Sequence, residues 1–157
     1  MAYHVSTGLR NKLLSKSAGA IVGGSLADLL DLGKIMIYSG AVPATADDAV
    51  SGTLLVTITN NSTATGLTFE DNAVTGGISK AAGETWSGVI ALSGTATYYR
   101  HIGAAEAAGA IGASSTVLPR LQGAVGLFGA ELNLTNTTLT AAGTQTLDYY
   151  FVGLPTL

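Results

Sequence analysis

Two histidines, His4 and His101, are the side chains of this sequence best suited to act as a base near neutral pH. His101 directly follows Arg100, and the acids nearest to it along the chain are Glu84 and Glu106. A serine nucleophile would need such a His–acid pair beside it, yet no Gly-x-Ser-x-Gly turn frames any serine. We therefore expect no catalytic residue, and we interpret His101 as a structural residue at the end of a strand.

Metal and cofactor sites have equally little support. Two histidines are too few for a three-histidine zinc site, and the sequence contains no cysteine. The adjacent acids Asp47-Asp48 and Glu70-Asp71 lack the alternating spacing of a calcium loop. Neither Gly-Gly pair is followed by the Gly-Lys-Ser/Thr of a phosphate loop. We expect no bound metal and no cofactor, and the sequence predicts a protein that is not an enzyme.

Aromatic residues offer one alternative of another class, a carbohydrate-binding β-sandwich module. Trp86 or Tyr98, exposed at the end of a loop, would favour that alternative. Tyr98-Tyr99 and Tyr149-Tyr150-Phe151 fit strands with one buried and one outer face better than they fit a platform for sugars or bases.

Length and composition indicate a folded chain that associates with other subunits. The 157 residues suit one domain and are 47% apolar and 11% charged, with a net charge of −3. Such a composition excludes a disordered chain, and no run of about 18 apolar residues is long enough to span a bilayer. The small negative charge gives no sign of nucleic-acid binding. We expect a homo-oligomer that contacts neither nucleic acid nor membrane.

The first 33 residues are expected to form an arm with two short helices. Ser6 is suited to cap the first helix, which carries an apolar stripe and several basic residues. A break is expected at residues 17–20, and Ser25 with Asp28 has the spacing of a second cap that precedes a helix ending at Gly33. Helices this short must dock on their own domain or on a neighbouring subunit. The candidate partner-binding residues of this arm are Leu9, Arg10, Lys12, Leu13, Leu14 and Lys16.

Residues 34–157 change to the pattern of a β domain. Short segments rich in β-branched and aromatic residues recur every 8–12 residues or so, separated by Gly, Asn and Ser. Segments 86–92 and 95–102 flank Ser93-Gly94, which is suited to a tight hairpin turn. The expected fold is mostly β, an antiparallel, jelly-roll-like β-sandwich of about eight strands behind a short helical arm.

Five stretches, in order along nearly the whole chain, resemble a family of small structural proteins of tailed-bacteriophage virions. They are residues 6–14; residues 33–40 with Pro43, Ala44, Ala46, Asp47 and residues 52–55; residues 93–100; residues 121–132; and residues 151–155. Residues 104–115 and 135–146 lie outside the resemblance.

The resemblance implies a β-sandwich component of the particle without a catalytic role. The expected function is capsid decoration, as a cement protein that binds the shell and bridges neighbouring subunits. A tail or head–tail connector protein is the alternative within the same class. The implied partners are the major capsid protein or other virion proteins, and the implied location is the virion, assembled in the host cytoplasm. The N-terminus Met-Ala-Tyr-His-Val agrees with that location, because it lacks the basic and apolar regions of a signal peptide.

Overall fold

A computed structural model describes residues 3–16, 23–107 and 111–153, so the predicted break at residues 17–20 lies outside the described residues. The elements are β1 His4–Val5, α1 Thr7–Leu14, α2 Leu26–Leu30, β2 Lys34–Ser39, β3 Thr53–Asn60, β4 Gly77–Ser79, β5 Trp86–Val89, β6 Gly94–Thr95, β7 Tyr98–Ile102, α3 Ala104–Ala107, β8 Arg120–Gly126, β9 Leu132–Asn133, β10 Thr138–Leu139, β11 Thr144–Leu147 and β12 Phe151–Gly153.

One eight-stranded sheet forms the body of the molecule. Its strands follow the order β1-β8-β7-β2-β3-β5-β11, and β9 pairs with β8. All of these pairings are antiparallel except that of β8 with β9. The pairs β10–β6 and β12–β4 form two smaller antiparallel sheets. The prediction of a mostly β, antiparallel fold with a few short helices is confirmed, and the arrangement is consistent with a sandwich.

The main core covers one face of the large sheet. Phe69 and Tyr150, which lie outside that sheet, pack against side chains of its central strands. The ring of Phe69 is 5.7 Å from Trp86 of β5 and 5.6 Å from His101 of β7, and Tyr150 is 5.4 Å from Trp86. The contacts join the segments before β4 and β12 to the large sheet through aromatic surface, which removes much apolar area from water.

The opposite face of the large sheet is also buried at its centre. The side chains of β7 alternate, but the face predicted to be the outer one is buried as well: Tyr99 lies in the main core, whereas Tyr98 and Ile102 pack with Met36 and Tyr38 of β2 on the other side. The ring centroids of Tyr38 and Tyr98 are 5.0 Å apart and the planes are parallel to within 11°. Arg100 of β7 also lies on this second face, where loops around the sheet bury it.

Two local predictions are wrong. Ser93-Gly94 does not join a hairpin, because β5 pairs with β3 and β11 while β7 pairs with β2 and β8. The left-handed residue after α2 is Leu32, with φ of 54°, rather than Gly33. Gly33 is needed for a close approach instead, since a Cβ there would lie 1.9 Å from the carbonyl oxygen of Ile102.

Candidate functional site

The beginning of the N-terminal segment is built into the body of the protein. β1 pairs with β8, with His4 opposite Gln122 and Val5 opposite Leu121. The Ser6 hydroxyl caps α1 by accepting from the Leu9 N–H at 3.1 Å. It also accepts from the Arg120 N–H at 2.9 Å and donates to the Leu118 carbonyl at 2.8 Å. One buried hydroxyl therefore joins the start of the helix to β8 and to the segment before it.

Two further contacts fix α1 against its own domain. The carboxylate of Asp47 accepts from both the N–H and the hydroxyl of Thr7, at 2.8 and 2.6 Å. Gly8 packs directly on the backbone at Val117, where a Cβ would come within 2.3 Å of the carbonyl group. Asp47 thus holds the helix, and its neighbour Asp48 accepts from the N–H and hydroxyl of Thr45 within one turn. Both carboxylates therefore stabilise the local backbone through these hydrogen bonds.

The candidate partner-binding residues separate into an inner and an outer group. Leu9 is completely buried in the main core, so it is not available to a partner. The prediction that Leu9 shares an outward apolar stripe with Leu13 and Leu14 is therefore wrong. The reason is that β1 and the Ser6 cap hold the first turn of α1 against the sheet. Lys12 is half-buried, and the exposed members of the set are Arg10, Leu13, Leu14 and Lys16, with Leu14 87% exposed. Partner binding by these outer residues stays a prediction.

A buried polar network lies on the second face of the sheet. Arg120 and Glu106 form an ion pair with two contacts of 2.6 and 2.7 Å, and both side chains are fully buried. Arg120 also donates to the carbonyls of Ala46 and Ala113, at 3.3 and 2.6 Å. The pair therefore joins β8 to α3 and to the two segments that cover this face.

Arg100 and Gln122 extend the network across neighbouring strands. They are register partners on β7 and β8, and Arg100 donates to Gln122 Oε1 at 3.2 and 2.6 Å. Arg100 also donates to the carbonyl of Asp48 at 2.9 Å, and Gln122 donates to that of Pro43 at 2.9 Å. Burial, with the neighbouring Arg120 cation, lowers the pKa of Arg100. The network holds the 43–48 loop in place and is enclosed by protein.

His101 lies in the aromatic core rather than in a cleft. Its Nδ1 is 3.2 Å from the Tyr150 hydroxyl, and Phe69 stacks on the imidazole. Burial lowers the pKa of His101 to about 3, so the ring is neutral at pH 7. Neither nearby acid reaches it: Glu106 pairs with Arg120, and Glu84 accepts from Trp86 Nε1 at 2.7 Å. A buried base without a carboxylate partner is poorly placed for general base catalysis.

The exposed surface contrasts with these buried polar groups. Within the described ranges, the large apolar side chains that reach solvent are Leu13, Leu14, Leu32, Val42, Val74, Val89, Leu92, Ile111, Val117, Leu127, Phe128, Tyr149 and Phe151. Phe128, in the turn between β8 and β9, is 87% exposed. Trp86 and Tyr98, the two residues suggested as a sugar platform, are 1% and 0% exposed, so neither can serve as one.

A different aromatic group is exposed near the C-terminal end. Tyr149 and Phe151 are both exposed, and their rings are parallel to within 11° with centroids 6.5 Å apart. Tyr150 between them points into the core. This separation agrees with the predicted buried and outer faces of the segment, because the alternation of an extended chain places residues 149 and 151 on one side and residue 150 on the other.

Among the residues that the structure describes, no three His, Asp or Glu side chains converge as a metal site would require, and no helix is long and apolar enough to cross a membrane. Comparison with protein-family models, with curated proteins and with solved structures gives no match for this chain.

Proposed function

We propose that the chain is a structural protein of a tailed-bacteriophage virion that decorates the capsid. In this role the β body binds the outer face of the shell and bridges neighbouring subunits of the major capsid protein. The ordered resemblance of five stretches supports the proposal, and residues 33–40, 93–100 and 121–132 of that set include all of β2, the first half of β7 and most of β8. A protein of this kind acts by forming interfaces and needs no catalytic group.

The observation that carries the proposal is the low charge of the outer surface. The chain has only seven basic and ten acidic residues, and Arg100, Glu106 and Arg120 are buried away from solvent. A small soluble domain normally keeps about a quarter to a third of its surface charged, which opposes association. Single exposed apolar residues are common on any protein, so the argument rests on the shortage of charge around them. Such a surface favours close packing against other subunits.

The outer residues of α1 provide a specific contact for this role. Leu13 and Leu14 are exposed at its C-terminal end, and Arg10 and Lys16 are exposed nearby. An apolar pair beside basic side chains fits an acidic rim with an apolar centre on a neighbouring virion protein. A tail or connector protein would use the same chemistry against a different neighbour.

Binding to shells tests the proposal directly. Purified full-length chain is mixed with undecorated shells of the phage whose genome encodes it, and the mixture is sedimented. We expect the protein to pellet at a fixed ratio to the major capsid protein. The variant Leu14→Asp should bind at least about tenfold more weakly, the effect of one buried leucine at an interface. Val89→Asp is the matched control, because Val89 is exposed on β5, far along the sheet order from β1 and α1. Protein that stays in the supernatant at all concentrations would contradict the proposal.

A further inference from the structure

The exposed positive charge of this protein is concentrated on the outer side of α1. Of the seven basic residues of the chain, two are buried and three are half-buried. The two exposed ones are Arg10 of α1 and Lys16, two residues after its end, and the exposed Leu13 and Leu14 lie between them in the sequence. In the described part of the chain neither Arg10 nor Lys16 forms an ion pair. We call these four residues the α1 surface.

A groove of the opposite charge lies beside α2. Its acidic part has a volume of about 430 Å³ and is lined by Asp28, Asp31, Glu70 and Asp71, without any Lys, Arg or His. These are four of the ten acidic residues of the chain, and within the described ranges none of them forms an ion pair. Neighbouring carboxylates repel one another, and a cation placed beside them relieves that repulsion.

The same groove continues into an apolar part. A further volume of about 260 Å³ is lined by Leu26, Ala73, Ile78 and Val152, and Asp71 lines both parts. A cavity of about 150 Å³ can hold a benzene ring, so the apolar part has room for a leucine side chain. We call the two parts together the α2 groove. Its acidic rim and apolar floor are complementary to the α1 surface in both charge and polarity.

We propose that the α2 groove binds the α1 surface of a second copy of this chain. In this contact Leu13 and Leu14 pack on the apolar part, while Arg10 and Lys16 lie against the carboxylates of the acidic part. The charges favour a second copy over an unrelated partner, because one sequence supplies both the cations and the carboxylates. The proposal goes beyond capsid decoration, since it names a contact between decorating copies, and it does not depend on that role.

The two surfaces are neighbours on one molecule, which allows a reciprocal contact. α1 ends beside the segment that leads into α2, where a Cβ at Gly23 would lie 2.0 Å from the carbonyl oxygen of Ser15. Ser6 and Asp47 fix α1 in this place, and there its exposed cations pair with no acid of the described chain. A two-fold axis puts each α1 surface on the α2 groove of the other copy, so one dimer contains the contact twice.

Sedimentation velocity of the full-length chain tests the proposal without shells, so its outcome is independent of the shell-binding test. We expect a dimer at about 100 μM, a concentration well above a micromolar dissociation constant. Association should weaken in about 1 M salt, where the screening length is about 3 Å. Arg10→Glu combined with Lys16→Glu should weaken dimerisation at least about tenfold. Asp31→Lys combined with Asp71→Lys should do the same, whereas Asp148→Lys, at an exposed acid outside the α2 groove, is the control and should leave it unchanged.

A one-to-one mixture of the two double variants gives the sharpest comparison. In a dimer of the variant with the altered α1 surface, acids face acids at both contacts, and in a dimer of the other variant the groove has lost its net negative charge. A mixed dimer has one contact in which both surfaces are unaltered and no contact in which acids alone face each other. The mixture should therefore dimerise more strongly than either variant alone, and that recovery would also show that both variants are folded.

Three results would overturn the proposal. They are a monomer at all concentrations up to about 1 mM, a dimer that neither double variant weakens, and a mixture that associates no better than its separate components. If the unaltered chain is monomeric and Asp31→Lys with Asp71→Lys reduces its pelleting with shells, the α2 groove receives a capsid protein, and the assignment to a second copy is wrong.

Discussion

Glu106→Gln is expected to be one of the most destabilising conservative substitutions in this protein. The substitution keeps the shape of the side chain but leaves the Arg120 guanidinium buried without its counter-ion. The carbonyls of Ala46 and Ala113 remain as acceptors, but neither carries a negative charge. Breaking one side of a buried pair typically costs about 3–5 kcal/mol, a large part of the stability of a domain this size.

The pair can be separated from its surroundings by a double-mutant cycle in urea unfolding. Arg120→Met alone should also cost about 3–5 kcal/mol, because it leaves the Glu106 carboxylate buried. Glu106→Gln combined with Arg120→Met leaves no unpaired charge, so its cost should fall short of the sum by at least about 2 kcal/mol. Asp71→Asn, at an exposed acid, is the control and should change the free energy of unfolding by less than about 0.5 kcal/mol. A loss below about 1 kcal/mol for Glu106→Gln, or additive costs in the double variant, would refute the reasoning.

Three other predictions concern the core and the N-terminal helix. As the pH decreases from about 6.5 to 3, the unfolded chain protonates His101 while the fold keeps it neutral, so this residue should lower the free energy of unfolding by up to about 4–5 kcal/mol. His101→Phe should remove that part of the pH dependence in acid titrations of unfolding. Leu9→Ala should lower the free energy of unfolding by about 2–5 kcal/mol, whereas Leu14→Ala should change it by less than about 0.5 kcal/mol in the same urea assay. Equal effects of the two variants would mean that α1 is not docked on the sheet as described. Gly8→Val should weaken the docking of α1 and raise hydrogen exchange in residues 4–14, with Gly83→Val, at a position with no atom near its Cβ, as the control.

The large features of the fold follow from local patterns that are readable in the sequence. Alternation in Tyr98-Tyr99 correctly places the two rings on opposite faces of β7, although both faces are buried, and the Ser6 and Ser25 caps are present at the expected residues. These signals depend on neighbours within a few positions, so no long-range information is needed. Strand pairing is different, because it depends on which distant segments share a core. The prediction of a hairpin at Ser93-Gly94 was wrong for that reason.

The sites were less accessible to sequence reasoning than the fold. Nothing local distinguishes Arg120 or Glu106 from a solvated surface charge, since their burial depends on the 43–48 loop, which is distant in the sequence from β8. Leu9 and Leu14 likewise look alike in a helical pattern, and the pairing of β1 with β8 decides which of them is buried. The stack of Tyr149 on Phe151 had a local signal, the alternation around Tyr150, which indicates two outward aromatic rings once that segment is taken as extended.

Quantitative mass spectrometry of purified virions tests capsid decoration most directly. Particles of the phage that encodes the chain are isolated by density gradient, and the chain is quantified against the major capsid protein in intact particles and in tail fractions. The account predicts a constant ratio to the major capsid protein across particle fractions, with no enrichment in isolated tails. Absence of the chain from intact particles would contradict a virion role, and enrichment with tails alone would contradict decoration of the capsid.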